Sequence, residues 1–318
     1  MHLRKTWCLV LMCSLMVLPV HTITAEMSTF IGVFTDYAVI DDTTTLDQQV
    51  SVGAQASIDV RTLLGSSAYL GLSSYARFSY NPISSEWMDY VSVMADGALF
   101  VDPGEIRLSI GSDLSYDSSD PSSVLFRPMW DATFSMDRGY RTIHPFFTYY
   151  GYVDDSAMYN GIQLGMQHTP IVECDYSLAA LAGITTYTDA IDKDIAAGLR
   201  FSINGLAGYV LSWNVNATTT YTWSSDPSKE GVGGAISLNI RITPTKIFQL
   251  LIGPHLDWTF LTSTGSWHTD AQITVRSDVA ITEDLYWYVE SSAAAGLQYI
   301  SGAIPWTVHI TTGVDFSL

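Results

Sequence analysis

Apolar and polar residues alternate along most of this chain. Between residues 232 and 242, Val232, Gly234, Ile236, Leu238, Ile240 and Ile242 share one parity, and Gly233, Ala235, Ser237, Asn239 and Arg241 share the other. The last segment repeats the pattern, with Ile304, Trp306, Val308, Ile310, Thr312, Val314, Phe316 and Leu318 set against Thr307, His309, Thr311, Gly313, Asp315 and Ser317. Near 106–114, Ile106, Leu108, Ile110 and Leu114 alternate with Arg107, Ser109, Gly111 and Asp113. Successive strand side chains point to opposite faces, so a period of two predicts strands with one apolar and one polar face. Carried through the chain, it predicts an all-β protein of about sixteen strands, with fourteen as the fallback count. The spans are 27–39, 48–58, 67–80, 87–100, 105–117, 125–137, 141–152, 157–168, 174–188, 193–204, 206–223, 230–243, 247–261, 267–280, 285–299 and 304–318.

The connectors fall into two alternating sets. Asp102-Pro103-Gly104, Asp137-Arg138-Gly139, Asn204-Gly205, Thr243-Pro244 and Thr282-Glu283-Asp284 are tight. Residues 41–45, 117–123, 154–155 and 224–229 are longer and more acidic. Short turns at one end and longer loops at the other are the mark of antiparallel strands running up and down.

The start of the chain changes the setting. Arg4 and Lys5 precede an apolar run from Trp7 to Leu18, Pro19 breaks it, and Ile23-Thr24-Ala25 offers small-residue cleavage before Glu26. Residues 1–25 therefore read as an export signal, with the strands in residues 26–318. Cys13 reads as an apolar signal residue, because Met12 is too bulky for the position before a lipid-modified cysteine. With Cys8 and Cys13 in the signal, Cys174 is left alone and no intramolecular disulfide is expected.

Composition agrees with a membrane setting built from strands. Hydrophobic residues reach 47% and charged ones only 14%, a charged share below that of ordinary soluble domains. After the signal there is no uninterrupted apolar stretch of the roughly 20 residues that a membrane-spanning helix needs. Taking Arg4 and Lys5 from the 14 basic residues leaves twelve against 32 acidic ones, a net charge of −20. That balance excludes a nucleic-acid partner and favours cations. The aromatic residues add a second signal. Tyr80, Trp87, Trp130, Tyr221, Trp223, Trp258, Trp267, Tyr299 and Trp306 have apolar parity beside the longer loops, while Phe134, Phe248, Trp287 and Phe316 have it near the tight turns. Two such girdles mark the two interfaces of a bilayer.

On these residues the chain resembles the porin-like outer-membrane β-barrels of bacteria. The resemblance covers the whole chain after the signal and is one of pattern. It implies a transmembrane up-and-down antiparallel β-barrel in the outer membrane with both chain termini periplasmic. Ile310, Val314, Phe316 and Leu318 resemble the C-terminal insertion signal read by the barrel assembly machinery, although the family more often ends in Phe. The short loops and the terminal Leu318 also resemble spirochaete outer-membrane proteins. The implied function is passive diffusion of small hydrophilic solutes through a cation-preferring pore. Two other readings are a structural or adhesive surface protein whose acidic loops meet an extracellular ligand, and a transporter of hydrophobic compounds.

In such a barrel the polar parity lines the lumen. It carries Arg77, Arg107, Arg127, Arg200, Arg241 and Arg276, with Asp96, Asp113, Asp131, Asp257, Asp270, Asp278 and Glu290. Charges of both signs on one face of a membrane strand need water or each other. His255 and Asp257 on one strand face His268 and Asp270 on the next, with Asp257 nearly opposite Asp270. Like charges across a strand pair repel unless something intervenes. A divalent cation is one candidate, because two imidazoles and two carboxylates suit zinc; plain hydration is the simpler account, and no cofactor is otherwise expected. Inward Asp315 and Ser317 are expected to matter less to insertion than Phe316 and Leu318.

No catalytic constellation is expected. His144, His255, His268 and His309 have inward parity, away from the lipid face where an outer-membrane phospholipase needs its Ser–His pair. His268 with Asp270 is the only candidate for a rim protease and has no supporting motif. There is no Gly-rich phosphate loop and no G-x-S-x-G elbow. Asn216-Ala217-Thr218 matches a glycosylation sequon but reads as lumen lining.

Overall fold

A computed structural model describes residues 25–41, 46–64, 68–102, 104–119, 124–136, 143–154, 156–171, 173–187, 193–298 and 304–317. The expected signal in residues 1–24 lies outside these. The strands are β1 (Ala25–Asp41), β2 (Leu46–Leu63), β3 (Ala68–Asn81), β4 (Glu86–Val101), β5 (Gly104–Asp117), β6 (Leu125–Met136), β7 (Ile143–Asp154) and β8 (Ala157–Ile171). They continue as β9 (Cys174–Tyr187), β10 (Lys193–Ala207), β11 (Leu211–Ser224), β12 (Gly231–Ile242), β13 (Phe248–Leu261), β14 (Ser266–Ala280), β15 (Leu285–Gln298) and β16 (Trp306–Ser317). Each pairs antiparallel with its sequence neighbours, and β1 pairs with β16, closing a barrel of 16 strands. Closure leaves no unpaired edge, which hydrocarbon would not tolerate.

The period of two decides which residues face the lumen. Directly paired residues share a face, so the register carries one assignment around the ring. Asp270 pairs with Asp257, Asp257 with Ala235, Ala235 with Thr218, and Thr218 with Arg200. That face is the concave one, because its side chains reach across an intervening strand: Arg276 on β14 bonds Asp315 on β16 at 3.1 Å. The convex face is apolar and open, with Ile110 67% and Leu164 63% exposed. The buried large apolar side chains are inward Phe34 (4% exposed) and Tyr288 (3%). A water-soluble protein arranges its faces the other way round; this outer surface matches hydrocarbon.

Two local departures have physical causes. The strands run beyond the expected spans: β2 covers Leu46–Leu63 where 48–58 is expected. The expected turn at Asn204-Gly205 is instead strand, and the chain reverses at 208–210, where Gly208 has φ 64°. Asn-Gly is a strong turn dipeptide. Here Gly205 pairs with Trp213, whose indole lies over the missing side chain and keeps β10 straight. The tight turns at 243–247 and 281–284 lie at the same end of the barrel as 208–210, the loop at 225–230 lies at the other, and the expected turn at 137–139 lies outside the described residues. The start of β1 and the end of β16 share the tight-turn end.

Candidate functional site

The inner wall is not uniform. Across the closure seam, from β14 round to β3, side chains interlock. Arg276 is the hub. It reaches Asp278 and Asp315 at 2.8 and 3.1 Å and Glu290 at 3.8 Å, and its guanidinium lies 4.2 Å from the Tyr288 ring centre. Asp315 also accepts from Gln55 at 3.3 Å, and Gln55 in turn accepts from Tyr75 at 3.1 Å. Arg77 sits 4.2 Å over the Phe34 ring. Asp315, read from the sequence as one inward polar position, is part of this network. It is only 5% exposed and holds an arginine from two strands away.

Glycines let the rings lie along the wall. A Cβ on Gly53 would fall 2.5 Å from the Phe34 ring, and one on Gly313 would fall 2.7 Å from the Tyr288 ring. Such aromatic–glycine pairs fix register. They also keep bulky side chains flat, so that aromatic positions narrow the lumen little.

The opposite wall, β9 to β13, carries more small neutral residues, although Arg200, Arg241, His255 and Asp257 also face inward and buried Asp194 accepts from Tyr187 and Ser224. From 212 to 224 the inward positions of β11 read Ser, Asn, Asn, Thr, Thr, Thr, Ser. Asn216 donates to Asn214, Asn214 donates to Asn204, and the Ser177 and Ser202 hydroxyls lie 2.7 Å apart. A recess of about 290 Å³ opens here, lined by Tyr150, Leu181, Ala235 and Ser237 together with Arg200, Asn216, Thr218 and His255.

The remaining expected lumen charges share the inward register. Arg107 bonds Glu105 at 2.6 Å, and Arg127 bonds Asp154 at 3.1 Å, although Asp113 is its register partner. Asp131 accepts from Thr133 at 3.1 Å. Asp96 lies opposite Gly71 and Ser109, and Arg241 lies opposite Ser212 and Leu251. Asp257 and Asp270 are directly paired. Each binds the histidine two residues before it, His255 to Asp257 and His268 to Asp270, both at 2.7 Å. The four side chains thus divide into two His–Asp pairs, and among the described residues no group of three or more His, Cys, Asp or Glu is placed to hold a metal ion.

On the outer face, Tyr80, Trp87, Trp130, Trp223, Trp258, Trp267 and Trp306 have outward register. Tyr299 lies outside the described residues. Ile310, Val314 and Phe316 also point outward, opposite Tyr37, Val33 and Ile31 of β1, while Leu318 is outside the described residues. His168 faces outward too, with its ring 4.9 Å from Tyr176. At the loop end, Asp226 accepts from the Ser228 hydroxyl and backbone at 2.7 and 2.9 Å, which holds its carboxyl below the usual range. Lys229 beside Tyr187 is held above its ordinary value by that hydroxyl.

Sequence reasoning placed the charges but missed inward aromatics that lie over glycines, among them Phe34, Phe146, Tyr150, Tyr159 and Tyr288. Aromatics were expected outward, at the interfaces. The missed signal is polar parity combined with a glycine at the matching position of the next strand, as for Tyr150 with Gly161 and Tyr159 with Gly183.

Closure, strand number and the inverted faces are those of a known architecture. The fold is that of the porin-like outer-membrane barrels. The outer-membrane channel DcaP of Acinetobacter baumannii superposes with a TM-score of 0.60 at 10% identity, over 92% of this chain and 97% of that one. A loop-deletion form of OmpT, an outer membrane protein of Vibrio cholerae, gives 0.57 at 12% identity, over 92% and 99%. An anion-selective porin from Comamonas acidovorans gives 0.53 at 12% identity, over 92% and 100%. No protein-family model and no curated protein sequence matches the chain.

Proposed function

We propose that this protein is a bacterial outer-membrane channel through which small hydrophilic solutes diffuse, with a preference for cations. The observation that carries the reading is the inner face of the closed barrel. It carries the strands' charged and most of their hydrogen-bonding side chains, and its carboxylates outnumber its guanidinium groups. Several of the arginines are held by those carboxylates, Arg107 by Glu105 and Arg276 by three acids. The field left to a passing ion is therefore negative, and clustered negative charge concentrates cations. The directly paired Asp257 and Asp270 sit towards the loop end, at the expected solute entrance. The Comamonas neighbour is described as anion-selective; the acidic wall here predicts the opposite sign.

The same reading takes residues 1–25 as a cleaved export signal and the two outward aromatic bands as interface girdles. It makes Ile310, Val314, Phe316 and Leu318 the insertion signal, and it puts the termini in the periplasm. Planar-bilayer recording of the purified mature protein tests it. Stepwise conductance that grows with salt concentration supports an aqueous pore, and a bilayer that stays sealed at high protein concentration refutes it.

A further inference from the structure

We propose that the β9–β12 wall is a path for neutral polyhydroxylated solutes, that is, small saccharides, with the recess between Tyr150 and His255 as its binding site. The inference rests on the channel reading and adds a substrate class to it.

Every inward side chain of β11 is a hydroxyl or an amide, over the height of the barrel. These are the side chains that both donate and accept hydrogen bonds. An ion crossing the lumen gains little from them, since the carboxylates beside this ladder are already engaged, Asp194 by Tyr187 and Ser224 and Asp175 by Gln167. A sugar hydroxyl also donates and accepts. It can exchange a water, Asn216 or Thr218 for the next hydroxyl along the strand with no charge to desolvate. Permeation requires binding that is favourable but weak and repeated, and a ladder of neutral hydrogen-bond partners supplies that.

The recess adds a second element. Its volume of about 290 Å³ is close to the lower end of small-ligand sites, roughly 300 Å³. Tyr150 forms one side. Its ring is pressed over Gly161, and its hydroxyl lies 3.3 Å from that of Tyr159, so the ring is fixed in place. A pyranose has an apolar C–H face and a polar rim. The face fits the Tyr150 ring and Leu181, while the rim meets Asn216, Thr218 and Ser237. Arg200 and His255 bound the recess and can donate to ring or glycosidic oxygens.

The test uses the full mature protein in planar bilayers. Ion current is recorded while maltose is titrated. Parallel arms use a polyethylene glycol of matched hydrodynamic size and the sugar acid gluconate. Saturable block by maltose with only linear, viscosity-like slowing by the polymer is expected. Replacing Asn216 with Leu and Thr218 with Val together should raise the half-saturating maltose concentration roughly tenfold, the equivalent of one or two hydrogen bonds. Tyr150→Ala should raise it independently, and it serves if the double variant fails to insert. Ser292→Ala, at an inward hydroxyl of β15 paired with Thr274 and His309 on the seam side, should leave it unchanged. A conducting pore that maltose does not saturate overturns the inference and leaves the channel reading standing. Saturation by gluconate alone also overturns it, because the recess then reads charge through Arg200. Absence of conductance overturns both.

Discussion

The two inner walls of this barrel use the same alternation for opposite ends. On the seam wall, β14 to β3, inward positions hold Arg276, Tyr288, Asp315, Phe34, Gln55 and Arg77, joined by ion pairs, ring contacts and hydrogen bonds that cross one or two strands. On the facing wall, β9 to β13, Ala, Gly, Ser, Thr and Asn are frequent at inward positions, charged Arg200, Arg241 and Asp257 stand apart from one another, and a recess remains. The contrast has a physical logic. β1 and β16 meet from opposite ends of the sequence, so their pairing closes the longest loop in the chain and carries the largest entropic cost. Arginine-centred contacts that cross strands lie there. The facing wall is joined mainly by hydroxyl, amide and Asp194 hydrogen bonds and keeps the recess.

The largest expected effect comes from breaking the seam hub. Arg276→Met leaves Asp278, Glu290 and buried Asp315 without their cation. Removing one partner from a buried pair costs roughly 3–5 kcal/mol, and the low end applies here because Arg276 is 28% exposed to a hydrated lumen. The temperature at which the folded form loses its heat-modifiable gel mobility should fall sharply, whereas Arg200→Met on the open wall should leave it almost unchanged. Equal losses would mean that the two walls do not differ in the way described.

A pair of glycine substitutions sharpens the same contrast at smaller scale. A Cβ on Gly53 would meet the Phe78 carbonyl at 2.2 Å and the Phe34 ring at 2.5 Å. Gly53→Ala should therefore destabilise by about 1–3 kcal/mol, the usual range for overpacking. On the open wall the nearest atom to a Cβ on Gly233 is 3.6 Å away, so Gly233→Ala should fold and conduct like the parent. Thermal unfolding of both variants in the same detergent is the comparison.

At the C-terminus, deleting residues 316–318 should sharply reduce membrane insertion, because outward Phe316 is lost. Replacing inward, exposed Ser317 with Ala should not. Asp315→Asn, by contrast, belongs with the seam: it should insert but unfold at lower temperature, through loss of its charge-assisted bond to Arg276. Assembly into liposomes separates insertion from stability. The smallest effect lies outside both walls. Ser228→Ala removes the hydroxyl bond but keeps the backbone one, so the Asp226 carboxyl should rise part of the way back and its negative charge should be lost at a higher pH as the solution is acidified. Titration of the carboxyl carbon by NMR would show the shift.

Much of the fold was legible because a barrel wall separates two solvents. Lipid outside and water inside impose a strict period of two, and it marked all sixteen strands and the inward parity of Arg276, Asp257 and Asp270. What the sequence hid was interaction between faces of different strands. Gly205 read as a turn, because nothing local shows that Trp213 pairs with it. Asp315 read as one more inward polar residue, because its arginine is 39 residues away. The possible metal ligands share a hairpin as expected, yet each aspartate is taken by its own histidine. The inward tyrosines were hidden for a related reason: an aromatic of polar parity looks like an error in alternation until a glycine on the next strand gives it room.

The central claim is that the lumen is an aqueous path whose charge balance is negative. Its most direct test is the reversal potential of the reconstituted mature protein across a salt gradient, repeated after Asp257→Asn with Asp270→Asn. The account predicts a cation-selective potential that shrinks at high salt, where screening shortens to about 3 Å at 1 M, and that shrinks further in the double variant. An anion-selective potential, or a double variant as selective as the parent, would contradict it.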